Sequence, residues 1–196
     1  MVTKIGVLAL QGDFAEHVAA LRRIGVEPVE VRLPSDLDGL SGLIIPGGES
    51  TTIGKLMVRF GLLEPIAERA RAGFPIWGTC AGMILLAKRI EGHDQPAIGV
   101  MNITVRRNAF GRQVDSFETD LDVAGLDRPY HAIFIRAPLI TEVGPEATPI
   151  ATLADGAVVA ARQGALLGTA FHPELTDDDR MHRLFVERVC EGVGAR

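Results

Sequence analysis

The stretch Phe74-Pro75-Ile76-Trp77-Gly78-Thr79-Cys80-Ala81-Gly82-Met83 decides how this chain is read. Phe74 to Trp77 is an apolar run of strand length, and Ala81 to Ile90 carries a helical pattern. Between them Gly78-Thr79-Cys80-Ala81-Gly82 has the form G-x-C-x-G, which predicts a strand turning sharply into a helix with Cys80 at the turn. A side chain there stands at the top of a sheet facing open space, and the flanking glycines permit the tight turn and a close approach of substrate to backbone. The helix that starts at Ala81 aims its free N–H groups and positive dipole end at the sulfur, which favours thiolate over thiol.

A thiolate nucleophile needs a proton carrier. Phe171-His172-Pro173-Glu174, which follows the apolar stretch Leu166 to Ala170, supplies an imidazole and a carboxylate. At i and i+2 of an extended segment, His172 and Glu174 share a face. Pro173 biases the residue before it toward extended geometry. The residue types and spacing point to Cys80 as nucleophile, His172 as base and Glu174 as its orienter.

Outward from the elbow, the first half alternates strand and helix signals. Lys4 to Leu10, Val26 to Val31 and Gly42 to Ile45 read as strands. Phe14 to Ile24, Thr52 to Phe60 and Glu64 to Ala72 read as helices. Such alternation implies right-handed crossovers and a parallel sheet. From about Ile98 the texture changes. Ile103 to Val105, Val114 to Leu121, His131 to Ile135, Ile150 to Leu153, Ala157 to Ala161 and Leu166 to Ala170 read as strands, with Asp155-Gly156 as a hairpin turn. A closing helix is predicted over Asp179 to Glu191. The expected fold is α/β, an open mostly parallel sheet flanked by helices with an antiparallel extension, in a single domain over residues 1–196. Ligands in such sheets collect at the carboxyl ends of the strands, which the Pro46-Gly47-Gly48 loop and the Cys80 elbow both leave.

Composition narrows the function. The net charge is −5 with no basic tail, which argues against nucleic acid as the main partner. The two cysteines, Cys80 and Cys190, are too few for a disulfide framework, so a reducing, cytoplasmic setting is expected. No apolar stretch approaches the ~18 residues of a membrane span, and Met1-Val2-Thr3-Lys4 carries no signal-peptide pattern.

Other residues invite a role and are weighed against plainer ones. The Ala81 N–H and an N–H of the Gly47-Gly48-Glu49 loop, at Gly48, are candidates to hold an oxyanion; an ordinary tight turn is the alternative. Gly48 to Lys55 fails as a phosphate loop, with five residues between Gly48 and Gly54 instead of four and Leu56 in place of the metal-binding hydroxyl. Glu49-Ser50-Thr51-Thr52 reads instead as a helix start with capping hydroxyls. His182, beside Arg180 and Arg183, is expected on a solvated face, and His93 in a surface loop. His17 sits near the strand ends with a supporting role open, and His131 begins a strand. Arg106, Arg107 and Arg136 lie near strand ends, where a surface charge pair is the usual explanation and a forked guanidinium holding a substrate carboxylate the functional one. Cys190 is expected as a packed thiol. No His/Cys/Asp/Glu spacing repeats as a metal ligand set would.

Pro46-Gly47-Gly48-Glu49-Ser50, Gly78-Thr79-Cys80-Ala81-Gly82 and Phe171-His172-Pro173-Glu174 resemble the three signatures of the triad (class I) glutamine amidotransferases, whose fold is flavodoxin-like. Three further segments, Gly6 to Gly12, Arg107 to Phe117 and Phe134 to Pro138, are similar to the glutaminase subunits of bacterial and plant-type pyridoxal 5'-phosphate synthases. The resemblance runs from Ile5 to about Val189, and Arg107 to Phe117 is its most specific piece. It implies hydrolysis of L-glutamine through Cys80, His172 and Glu174, with glutamine contacts at Gly47, Gly48, Glu49, Arg107, Ile135 and Arg136. It also implies ammonia delivery to a barrel-shaped synthase subunit that makes pyridoxal 5'-phosphate from a pentose phosphate and a triose phosphate. On that reading the chain itself takes no cofactor and no metal.

Three alternatives stay open on sequence alone. A glutaminase could feed another acceptor, such as one in histidine or purine synthesis, although Arg107 to Phe117 argues against it. A cysteine hydrolase could act on a different amide or ester. A non-catalytic module could carry Cys80 as a redox-sensing thiol, a version that has no use for His172 and Glu174.

Overall fold

A computed structural model describes residues 3–110 and 116–190. Lys4–Leu8 (β1), Glu27–Val31 (β2), Gly42–Ile45 (β3) and Ile76–Thr79 (β4) are strands, interleaved with the helices Phe14–Arg23 (α1), Ser50–Arg59 (α2) and Leu63–Arg71 (α3). Ala81–Leu86 (α4) follows β4, and the chain continues through Ala87–Ile90 (β5), Met101–Arg106 (β6), Ser116–Leu121 (β7), Tyr130–Ile135 (β8), Leu139–Val143 (β9), Thr148–Thr152 (β10), Val158–Gln163 (β11) and Leu166–Thr169 (β12). A 3₁₀ turn at Pro173–Leu175, a short helix Arg180–Leu184 (α5) and a π-helical segment Phe185–Cys190 close it.

The main sheet runs β2-β1-β3-β4-β12-β11-β9-β6-β5, with β10 on β11. From β2 to β12 all neighbours are parallel. From β12 through β11 and β9 to β6 they are antiparallel, which gives the expected extension. Sequence composition explains the division. Every residue of β3, β4 and β12 is buried, as in strands covered on both faces. β7 and β8 alternate and pair as a separate two-stranded sheet in which Phe117 lies opposite Phe134, the rings stacked with centroids 4.5 Å apart.

Two elements depart from expectation. The helix predicted over Ala81 to Ile90 stops at Leu86, and Ala87–Ile90 becomes a strand beside β6. Pairing to β6 outweighs a local helical preference that is worth only tenths of a kcal/mol per residue. Leu139–Val143 is a strand the sequence reading passed over. For the strand expected from Val114, Val114 and Asp115 lie outside the described residues, as do Gly111 to Gln113 of the family-specific segment.

The fold brings four strand ends together. The carboxyl ends of β1, β3, β4 and β12 lead into Gln11–Asp13, Gly47–Glu49, Cys80 and His172, around the point where β1 is flanked by β2 and β3. Among the described residues no helix is long and apolar enough to cross a membrane.

Candidate active site

Cys80 is the N-cap of α4, with φ 49° and ψ −105°. Its N–H donates to the Thr169 carbonyl at 2.8 Å and its carbonyl accepts from the Ile84 N–H at 3.2 Å. Gly78 and Gly82 are required by packing: a side-chain carbon on Gly78 would strike the Gly82 backbone, and one on Gly82 would strike the Ile45 carbonyl. Among the described residues three non-glycine positions have positive φ, namely Cys80, Asn108 (47°) and Arg136 (42°), and all three line one cleft. Each such conformation costs about 1–3 kcal/mol. The scaffold beneath offsets this, since Ile44, Ile45, Trp77 and Leu85 are fully buried and a buried side chain of that size contributes about 1.5–3 kcal/mol.

His172 and Glu174 meet across the turn that Pro173 begins. His172 has φ −107° and ψ 86°, and Pro173–Leu175 is 3₁₀, so a tight turn brings the two side chains together where strand alternation was expected. His172 Nδ1 lies 2.7 Å from Glu174 Oε1. The His172 N–H donates to the Ile133 carbonyl at 2.8 Å, tying the turn to β8. Burial by itself would lower the His172 pKa, but hydrogen bonding to Cys80 and Glu174 and the charges of both outweigh it and push the imidazole up to about 10. Burial lifts the Glu174 carboxyl above its ordinary range, against the pull of His172. A proton shared by this pair therefore rests on the imidazole, and His172 is poised as an imidazolium between two acceptors.

These groups open onto a cleft of about 390 Å³. Gly48, Glu49, Cys80, Ala81, Arg107, Ile135, Arg136 and His172 all line it, so most of the sequence-predicted site residues converge. Gly47 stands behind the imidazole, and a side-chain carbon there would approach His172 Cε1 at 2.6 Å. Glu174 is buried beneath. α2 starts where the sequence suggested, but its cap is the Glu49 carboxylate and not a hydroxyl, accepting from the Thr51 and Thr52 N–H groups. Arg107 donates to Glu49 Oε1 at 3.1 Å, Thr51 Oγ1 at 3.1 Å and Gln95 Oε1 at 2.9 Å, which fixes its guanidinium along one wall.

The sequence reading missed several cleft residues: Gln11, Asp13, Asn108 and Leu175. Gln11 Oε1 accepts the Glu49 N–H at 2.9 Å and Asp13 Oδ2 lies 3.5 Å from His172 Nδ1. Both follow the carboxyl end of β1, and that position was the available signal. Asp13, His172 and Glu174 place ligand-type atoms within 4.8 Å of one another, yet His172 Nδ1 is already committed to Glu174.

The remaining histidines separate cleanly. His182 is fully buried, which corrects the solvated face expected from its arginine neighbours. It lies three residues before Phe185 on the inward side of the helix, and its ring packs edge-on to Trp77 at 5.1 Å. His17 is also fully buried, between Thr79 and His182. His93 is exposed, and His131 is exposed between Glu118 and Asp120. The side chain of Cys190 lies outside the described residues.

The chain is 64% identical over 188 residues to the pyridoxal 5'-phosphate synthase subunit PdxT of Herpetosiphon aurantiacus, covering 93% of this chain and 98% of that one. It is 58% identical to the PdxT subunit of Moorella thermoacetica, covering 95% and 99%. A crystal structure of a glutamine amidotransferase superposes with a TM-score of 0.91 at 51% identity, covering 95% of this chain and 98% of that one. The profile of the SNO glutamine amidotransferase family matches residues 7–191, and the chain belongs to that family.

Proposed function

We propose that this chain is the glutaminase of a pyridoxal 5'-phosphate synthase, hydrolysing L-glutamine through Cys80, His172 and Glu174 and passing the ammonia to a partner subunit. The observation that carries the chemistry is the arrangement at one cleft: Cys80 on its strained elbow, and His172 held 2.7 Å from Glu174. The names of the similar proteins from Herpetosiphon and Moorella support the pathway.

His172 already holds the proton that Cys80 gives up, and the thiolate attacks the side-chain amide carbon of glutamine. Negative charge builds on the amide oxygen, for which the Ala81 and Gly48 N–H groups are the assigned donors. Ala81 opens α4, where an N–H has no intrahelical partner. As the C–N bond breaks, His172 returns its proton to the departing nitrogen, which leaves as ammonia. A glutamyl thioester remains on Cys80. Water, losing a proton to His172, then attacks the thioester and releases glutamate and the thiol. Glu174 keeps the imidazole in the tautomer that presents Nε2 to the sulfur. Arg107, Glu49, Ile135 and Arg136 hold the amino-acid head group, the guanidinium suiting its carboxylate.

The partner is a synthase subunit of the kind that condenses a pentose phosphate and a triose phosphate with ammonia. The test is glutamate and ammonia release from glutamine by the purified chain, alone and with such a subunit. Strong activation by the partner supports both parts of the reading. Full activity with no partner effect removes the assigned pathway, and no activity in either condition removes the glutaminase.

A further inference from the structure

Behind the cleft runs a buried row of polar side chains that the reaction as written does not use. Glu174 Oε1 is bonded to His172, but Oε2 has no hydrogen-bond partner among the described residues. The group facing it is His17 Nε2 at 3.5 Å, both side chains being fully buried. The same nitrogen lies 3.2 Å from Thr79 Oγ1, on the residue before the nucleophile. On its other side, His17 Nδ1 lies 3.0 Å from His182 Nε2, and His182 Nδ1 has no partner among the described residues. Trp77 packs against both imidazoles, with centroids 5.8 Å and 5.1 Å away, and closes the row from water.

Proton counting assigns the tautomers. Burial keeps both rings neutral: it is the main cause that holds His17 well below its ordinary pKa and lowers His182 to about 4. Each ring then carries one proton. If His17 held it on Nδ1, that N–H would donate to His182 Nε2. His182 would be left with an unpaired buried N–H at Nδ1, and a bare His17 nitrogen would face a carboxylate oxygen. Buried N–H groups without partners are rare, and two acceptors in contact repel. With the proton on His17 Nε2, the His182 Nε2–H donates to His17 Nδ1 and only an acceptor stays unpaired. His17 then points its N–H at Thr79 Oγ1, with Glu174 Oε2 beside it at 3.5 Å as the second acceptor in reach.

We propose that His17 is a positioning residue for the reaction, its neutral Nε2–H serving the second oxygen of the Glu174 carboxylate while His172 serves the first. This rests on the Cys80-His172-Glu174 reading and deepens it. A neutral donor stabilises the carboxylate without competing for the charge that holds the His172 imidazolium. It also fixes the carboxylate plane, so that Oε1 stays aimed at Nδ1. At 3.5 Å the contact is long, as active-site hydrogen bonds are before substrate closes the site. The ionisable groups facing Glu174 are His172 on its own turn, Asp13 after β1, His17 on α1 and Tyr130 on β8.

The test compares His17→Leu, which removes the donor, with His17→Gln, which keeps an N–H, both assayed with the partner subunit present. His17→Leu should lower kcat about 10- to 100-fold, by analogy with loss of the hydrogen bond that orients a metal ligand, with KM for glutamine within about twofold. The acid limb of the pH profile for Cys80 alkylation by iodoacetamide should move to higher pH, because a carboxylate short of a donor protonates sooner. His17→Gln should recover much of both. Equal losses in the two variants with an unmoved alkylation profile would overturn the proposal, since packing alone would explain them. So would wild-type kcat in His17→Leu.

Nitrogen-15 NMR of the histidine rings in the wild-type chain needs no variant to fold, and it must show His17 protonated at Nε2. Protonation at Nδ1 overturns the assignment. Glu174→Gln separates the two levels of inference. If it too leaves turnover unchanged, the triad reading fails; if it cripples turnover while His17→Leu does not, only the role of His17 fails.

Discussion

His172 Nδ1 and Glu174 Oε1 stand 2.7 Å apart inside the protein, on residues separated by a single proline. Because Pro173 starts a 3₁₀ turn, the chain itself brings base and carboxylate together, and the backbone bond from His172 to Ile133 fixes where the imidazole faces. Glu174→Gln keeps an acceptor for Nδ1–H but removes the charge that holds the imidazolium. We expect kcat to fall about 10²- to 10⁴-fold, by analogy with loss of the acid in other triads. Steady-state ammonia release checks it, with glutamine KM changed little.

Gly47 is a second constraint on the same imidazole. A side-chain carbon there would come within 2.6 Å of His172 Cε1 and 3.1 Å of Asp13 Oδ2. Gly47→Ala should therefore displace the ring, cutting turnover more than tenfold at a stability cost of about 1–3 kcal/mol. Thermal unfolding alongside the activity assay distinguishes a displaced base from a collapsed fold.

Another part of the cleft is held by charge. Arg107 is tied to Glu49, Thr51 and Gln95, and Glu49 is in turn spent on the first turn of α2. Arg107→Ala should raise KM about tenfold or more while kcat changes less, as expected for a group that binds ground state and transition state alike. Arg107→Lys should rescue poorly, because one ammonium nitrogen lacks the fork by which two guanidinium nitrogens reach Thr51, Gln95 and Glu49.

Acid should weaken the fold through the buried histidines. The native pKa of His182 is lowered to about 4 by burial, whereas an unfolded histidine titrates near 6.5. Between those values the unfolded chain binds a proton that the native one excludes, so unfolding is favoured as pH falls. The contribution is fully present above about 6.5 and is lost toward 4, roughly 3 kcal/mol in all. His172 works in the opposite direction: its raised pKa contributes stability below 6.5 that is lost as pH rises toward about 10. His182→Gln should flatten the acid side of a plot of unfolding free energy against pH. An unchanged slope in that variant would rule His182 out as its cause.

Much of the parallel half was legible because its signals are local. Gly78 and Gly82 bracket a turn that the packing of α4 on β3 and β4 demands, and β3 and β4 read as unbroken apolar runs. The strand Ala87–Ile90 was not legible: Lys88 and Arg89 suit a helix, and only pairing with the distant β6 makes them extended. His182 was misread because Arg180 and Arg183 flank it. The spacing to Phe185 was the better guide, and Arg180 itself is bound to Asp178 and to the Arg128 and Pro129 carbonyls. Gln11 and Asp13 belong to the cleft only through the topology that sets β1 beside β3.

The most direct test of the account is acid quenching of the partner-activated chain during turnover of glutamine, followed by mass spectrometry of its peptides. A glutamyl thioester is predicted on the peptide containing Cys80, absent from Cys80→Ala, which should bind glutamine but release no ammonia above background. Wild-type ammonia release by Cys80→Ala, or the adduct on any other residue, would contradict it.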